Sequence, residues 1–431
     1  MAFRRALAGA LGAIVSRRRC SIAFWWQNTR QMPNDFVSAD SIVDLTQRLV
    51  RVPSRAGVDP YEPIAAIVDK WLRAAGIDCK SLQTGGKTVG LCAAIAGGSG
   101  DAVYMLNATL DTAGFGNESQ WQDAPTSGTI RDGRLCGRGS ADSKVGAAIF
   151  CHLLGDFARH IAGLRGTLVL LLDLDEHTGG FAGVRRYFAE DSDLPRPEGV
   201  FIGYPGNDKI GVGGRGFTRA RLMVHGKAAH SGSSREHGVN AVLRAAALSQ
   251  ALAASSLPAE GDGGFPLAPQ LTVTAISGGE SYAQVPDHCE LEIDVRLTPA
   301  FDDRAARATV HRVVDAFDRE APEGIAATDI HWQSGWPAYR IPDGTPMLRA
   351  LSDAAKAQFG RSIPAAVAGP SNIGNFLATL QIPAISGFGV TYHGIHAADE
   401  WIEIASILPV YRAYRGALQT LLAMPATRAL R

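Results

Sequence analysis

The sequence predicts an α/β protein, a helix-flanked and mostly parallel sheet carrying the chemistry, interrupted by an inserted split-βαβ, ferredoxin-like domain. Three observations carry this. Apolar runs such as "LVLLL" (residues 168–172) stop abruptly at polar residues and glycines, as strands buried on both faces do. Segments of helical period alternate with those runs. From about Gly213 the strands switch to polar/apolar alternation, and after about Trp332 helical and apolar segments alternate again.

Bulk properties narrow the function classes. A chain of 431 residues has room for two cores. Lys+Arg and Asp+Glu both number 42, which excludes a general attraction to nucleic acid or to anionic membranes. Six cysteines without a CxxC pair read as reduced core residues rather than as a disulfide or zinc framework. No apolar run is long enough to span a bilayer. Residues 1–31 are rich in arginine and free of acids. A basic start precedes the apolar "ALAGALGAIV", but "SRRRC" stands where a signal peptide would be cleaved. We read this stretch as an extra, disordered segment before a folded chain that starts at Met32, with a targeting segment as the alternative. The protein is then expected to be cytoplasmic.

The elements follow in order. "IVDLTQRLVRVPS" and "PIAAIVDKWLRAAG" are apolar at helical spacing and give two helices split by a Pro/Gly loop. "TVGLCAAIAG" and "AVYMLNATLD" read as strands, "GAAIFCHLLGDFARHIAG" as a helix, and "GTLVLLLDLDE" and "GVFIGYP" as strands. "RGFTRARLMVHG", "GVNAVLRAAALSQALAA", "QLTVTAIS", "QVPDHCELEIDVRLTP", "DDRAARATVHRVVDAFDRE" and "GIAATDIHW" then spell β-α-β-β-α-β. "TPMLRALSDAAKAQFG", "PAISGFG" and "WIEIASILPVYRAYRGALQTLLA" return to helix, strand, helix. The expected domains are 32–214 with 333–431 for catalysis, and 215–332 as an inserted lid and dimerisation domain.

Polar residues gather where strands should end, the place where open α/β sheets bind ligands. They are Thr109 and Asp111 in "LNATLDTAG", Asp142 and Lys144 in "GRGSADSKVG", Glu176 and His177 in "DLDEHTGG", and Tyr204 in "GYPGND". "YHGIHAADEW" adds His393, His396 and Glu400, and "HGKAAHSGSSREHGVNA" adds His230. A single histidine is usually structural, and Asp142 before a helix could be a cap. Order and spacing together say more.

From about Met32 to the C-terminus the chain resembles the acetylornithine deacetylase, succinyl-diaminopimelate desuccinylase and glutamate carboxypeptidase family of metal-dependent hydrolases. "GRGSADSKVG", "GKAAHSG…GVNA", "VPDHCELEIDVR" and the terminal His-x-x-x-Glu carry the resemblance. The resemblance implies two zinc ions sharing a bridging Asp, a Glu base, and a His of the inserted domain, usually from a partner subunit, on the oxyanion. Carried over, it puts Asp142 at the bridge, Glu176 at the base, His396 at the terminal ligand and His230 at the oxyanion. It also shows three departures: Thr109 replaces the HxD histidine, Tyr204 the acid of the second site, and His177 the Glu of the first. Both ligands peculiar to one metal are therefore gone, while Asp142, His177 and His396 remain competent at the other. Two imidazoles and a carboxylate suit one divalent transition metal per subunit, Mn or Zn, exchangeable with Fe or Co. Such a site keeps about one positive charge, which acidifies water and attracts a small anionic substrate.

The resemblance further implies substrate contacts at Gln284, Arg296 and Asn372, with Asp111 and His393 behind the ligands. Thr109, Tyr204 and Tyr392 would line a roomier pocket, with Trp121 and Trp401 near the motif segments as further aromatic surface. Three functions stay open. One is hydrolytic deamination of an aromatic amine, as in the family's nitroanthranilate aminohydrolase offshoot, which turns 5-nitroanthranilate into 5-nitrosalicylate. The second is an N-acyl amino acid amidohydrolase or carboxypeptidase, and the third a pseudoenzyme. A homodimer or higher homo-oligomer through the inserted domain is expected, with no nucleic-acid or membrane partner.

Overall fold

The computed structural model describes residues 37–422 apart from 99, 190, 259–264 and 334. The segment 1–31 and the start at Met32 lie outside the described residues. The chain divides into two compact units. One takes the described residues up to Gly211, together with Ile341–Ala366 and those from Ile382 onward. The other comprises Val212–Arg340 and Val367–Gln381. The second unit is thus wider than the expected insertion 215–332. Its added segment is tied in by buried polar groups: Asn375 Nδ2 donates to the carbonyls of Arg215 and Pro337, and Tyr339 Oη donates to Asn372 Oδ1.

The central sheet of the first unit runs β1 (Lys80–Thr84), β2 (Lys87–Ala96), β3 (Val103–Thr109), β4 (Thr167–Asp173), β5 (Gly199–Ile202) and β6 (Ala384–Ser386) along the chain. Its spatial order is β1-β2-β4-β3-β5-β6. The β4-β3, β3-β5 and β5-β6 pairs are parallel, and β1-β2 and β2-β4 antiparallel. Leu168–Leu172 are buried throughout, because a strand covered on both faces needs apolar side chains on both. The helix Val145–Arg159 is buried over nearly all its length against this layer. Register places Thr109 opposite Asp173, so three adjacent parallel strands, β4, β3 and β5, end together. That is where an open sheet leaves room for chemistry.

One expectation needs correction. "WIEIASILPVYRAYRGALQTLLA" is not one helix: Trp401–Glu403 is a strand, and the helix starts at Ile407. The strand pairs with Tyr392–His393 on one side and Arg134–Cys136 on the other. Trp and Ile favour an extended, half-buried strand, and the second of these partners is too distant in sequence to be foreseen.

The second unit has the strand order Gln270–Gly278, His288–Leu297, Gly216–His225, Asp329–Trp332, all antiparallel. The helices Ala241–Ala253 and Asp303–Arg319 complete the split-βαβ arrangement. Leu222, Val224, Leu248, Leu252, Leu291, Ile293, Val310 and Val314 form its core. Cys79, Cys92, Cys151 and Cys289 are free and buried, and Cys136 is free and partly buried. Among the described residues no helix is long and apolar enough to cross a membrane.

Candidate metal centre and active site

Asp111, just past β3, organises the loop beyond β4. Its carboxylate is fully buried and accepts the backbone N–H groups of Glu176 at 3.1 Å and His177 at 2.9 Å. It also lies 3.3 Å from His177 Nδ1 and accepts from the hydroxyl of Thr109. Glu176 Oε2 stands 3.4 Å from the same Nδ1. With an ion bound, the ring would keep its proton on Nδ1, which two carboxylates face, and offer the Nε2 lone pair to the metal. That is the tautomer of a metal-ligating histidine whose other nitrogen donates to a carboxylate.

Nε2 points toward Asp142. His177 Nε2 lies 3.5 Å and His396 Nε2 3.2 Å from Asp142 Oδ2, and one donor atom from each of the three residues lies within 4.8 Å of the others. His177 Nε2 and Asp142 Oδ1 are buried without a hydrogen-bond partner. Orphaned buried atoms of this kind cost stability unless something else satisfies them. Two imidazole nitrogens and a carboxylate fit a divalent transition metal. The electrostatics agree. Burial opposes charge on His177, yet Asp111 and Asp142 outweigh it and push its pKa up to about 11. Burial also opposes the Asp142 carboxylate, but the two histidines hold it well below the usual range. The site therefore stabilises positive charge.

Glu176 is placed differently. Tyr204, just past β5, donates its phenol to Glu176 Oε1 at 2.5 Å. Burial pushes the Glu176 carboxyl up to about 8, Asp142 and Asp111 add to the rise, and His177 and Tyr204 counter it. Burial and Glu176 together hold the Tyr204 hydroxyl protonated, well above its ordinary value. The Glu176 carboxylate is thus engaged by Tyr204 on one oxygen and faces His177 Nδ1 with the other, on the side of the imidazole away from Asp142.

The remaining expected residues are divided between the two units. Tyr392 is partly exposed and close enough to Asp142 and Asp208 for their charges to raise its pKa, after burial. The His393 ring stacks on the Trp401 indole at 5.6 Å and 21°. Trp121 lies under the Arg138 guanidinium. In the second unit His230 faces Gln284 across a two-residue ladder. His230 Nδ1 accepts from the Gly232 N–H at 3.0 Å, which leaves Nε2 as the donor. Arg296 pairs with Asp294 at 2.7 Å and donates to Ser371 Oγ at 3.2 Å. Asn372 caps the helix Ile373–Thr379, its Oδ1 accepting the Gly374 N–H and the Tyr339 hydroxyl, so its carbonyl is committed to structure. Sequence reasoning gives no role to Arg138, although it lies within "GRGSADSKVG", nor to Glu400 in "YHGIHAADEW".

The pattern for peptidase family M20/M25/M40 matches residues 105–420. The chain belongs to that family. Similar sequences include a succinyl-diaminopimelate desuccinylase of Cupriavidus taiwanensis, 28% identical over 394 residues, covering 88% of this chain and 98% of the relative. Succinyl-diaminopimelate desuccinylase 2 of Shewanella loihica is 30% identical over 329 residues, covering 74% and 84%. Among solved structures, the M20 family metallo-carboxypeptidase Sso-CP2 from Sulfolobus solfataricus superposes with a TM-score of 0.75 at 17% identity, covering 89% of this chain and 100% of that one. The Bacillus subtilis YXEP protein, described as a dinuclear metal binding peptidase, gives 0.65 at 17% identity, with coverage of 90% and 99%. Membership makes this chain a metal-dependent hydrolase of C–N bonds.

Proposed function

We propose that the protein hydrolyses the amide bond of a small anionic N-acyl amino acid, using one divalent transition metal ion per subunit, Mn or Zn. The observation that carries the reading is the pair of unsatisfied buried atoms, Asp142 Oδ1 and His177 Nε2, beside a Glu176 anchored by Tyr204. Asp142, His177 and His396 would hold the ion. When bound, such an ion polarises a carbonyl and lowers the pKa of water. Asp111 keeps the His177 proton on Nδ1. Glu176 is assigned the base that takes a proton from the attacking water and returns it to the leaving amine, with Tyr204 holding one of its carboxylate oxygens. His230, with Nε2 as donor, is assigned the oxyanion. Gln284, Arg296 and Tyr392 are assigned to substrate contact.

The desuccinylase relatives favour an acyl amino acid. A second reading, deamination of an aromatic amine such as 5-nitroanthranilate, draws on the phenol ring that Tyr204 sets beside Glu176. Metal analysis with a panel of N-acyl amino acids and ortho-aminobenzoates separates them. Amide cleavage with one ion per subunit supports the first reading; ammonia release from the aminobenzoates alone supports the second. Two tightly bound ions would overturn the one-metal assignment, and no turnover of either class would favour a pseudoenzyme.

A homodimer through the second unit is part of the proposal. Its edge strand Gln270–Gly278 leaves Ile276 50% exposed, and Leu243 on the Ala241–Ala253 helix is 69% exposed. Five free cysteines among the described residues favour a reducing, cytoplasmic setting. Light scattering gives the mass. Mixing His230→Ala with Glu176→Gln subunits restores part of the activity if the partner supplies His230.

A further inference from the structure

We infer that Glu400 and Arg138 are positioning residues that set Asp142 against His396; this rests on the reading of those two residues as metal ligands. The two side chains are 0% and 2% exposed, and Glu400 Oε2 accepts from Arg138 Nη1 at 2.7 Å. The other carboxylate oxygen turns to the backbone that carries Asp142. Oε1 accepts the Ala141 N–H at 2.8 Å and faces the Asp142 N–H at 3.3 Å. The main chain repeats the connection, since the Gly137 N–H donates to the Glu400 carbonyl at 2.8 Å. Arg138 extends it: Nε donates to the Gly114 carbonyl at 3.1 Å, and the guanidinium lies 5.1 Å from the Trp121 ring centroid. The pair thereby ties together three segments, which carry Asp111, Asp142 and His396 in turn.

The loop before Glu400 needs such a tie. His396 and Asp399 sit at φ values of 62° and 56°, in the left-handed region that side-chain-bearing residues adopt rarely. Glu400, and the Gln122 N–H donating to Asp399 Oδ1 at 2.8 Å, hold that conformation from outside the loop. A buried ion pair is a poor stability device, because desolvation offsets much of its attraction and an apolar pair of similar volume often does as well. Its hydrogen bonds to the ligand-bearing backbone are what an apolar pair could not supply.

The test uses the full chain loaded with Co²⁺. Glu400→Asp keeps the charge and withdraws the acceptor from the Ala141 N–H by one methylene. We expect the affinity for Co²⁺, measured by chelator competition, to fall about 10- to 100-fold, and the visible absorption of the bound ion to shift. The double variant Arg138→Met with Glu400→Met removes the charges together, and should keep the metal-free melting temperature near that of the unmodified chain while the affinity stays low. It answers the same question if Glu400→Asp fails to fold. Unchanged affinity and spectrum in a folded variant, with only a lowered melting temperature, would reduce the pair to a structural role. Failure of the unmodified chain to take up Co²⁺ would overturn the metal-centre reading and this inference with it.

Discussion

Two neighbouring parts of the candidate centre handle polar atoms in opposite ways. Around Asp142, His177 and His396, donor atoms converge and two of them are buried without hydrogen bonds. Around Thr109 and Tyr204 every hydroxyl is spent: Thr109 donates to Asp111 and Tyr204 to Glu176. Unsatisfied buried atoms mark a place that something else must complete, whereas satisfied ones mark a place the chain has closed for itself. The positions where the family resemblance would put a second pair of ligands are the closed ones. Their acceptors, Asp111 and Glu176, are thereby held in place, the first beside His177 and the second where the proposed function needs a base.

The sharpest way to break this contrast is Glu176→Gln. If Glu176 is a base and no ligand, turnover falls by about 10²–10⁴ while metal content is unchanged. Loss of the ion together with activity would move Glu176 to the ligand side. Next comes the open cluster itself. Dialysis against a chelator should abolish activity and one equivalent of Mn²⁺ or Zn²⁺ should restore it, whereas His177→Ala or His396→Ala should weaken metal binding measured by competition. Retention of a full equivalent by both variants would show that the orphaned atoms are not the site.

Asp111→Asn probes the join between the two parts. An amide in that place can turn an N–H toward His177 Nδ1, which moves the imidazole proton to Nε2 and removes the lone pair from the centre. Metal affinity should drop about 10- to 100-fold. An unaltered affinity would mean that the ring orientation is set elsewhere.

How much of the molecule is legible in the sequence follows from the range of the interactions involved. The buried strand Thr167–Asp173 and the helix Val145–Arg159 declare themselves through local periodicity, and the split-βαβ order through alternation. Asp142, His177 and His396 stand out through motifs and family resemblance. Glu400 and Arg138 lie in those same motifs, but their pairing does not stand out, because it joins residues 262 apart and no local pattern encodes a partner at that distance. For the same reason Trp401–Glu403 reads as helix until its partner Arg134–Cys136 is seen. Asn372 resembles a substrate contact, and its carbonyl serves the cap of a short helix.

The smallest effect sharpens the closed part. Tyr204→Phe removes one hydrogen bond to a carboxylate and keeps the ring, so nothing else in the pocket need move. A bond to a charged acceptor contributes about 1.5 kcal/mol, roughly a tenfold change in rate if all of it is expressed in the transition state. The sign of the pH effect is set as well. Burial raises the Glu176 pKa, and the Tyr204 hydroxyl opposes that rise by stabilising the carboxylate. Without the hydroxyl the carboxylate protonates at higher pH, so the acid limb of the rate profile moves upward, and activity is lost first at low pH. Metal content should not change. A profile that shifts downward, or a second ion bound once the hydroxyl is gone, would show that Tyr204 closes a metal position rather than orienting the base.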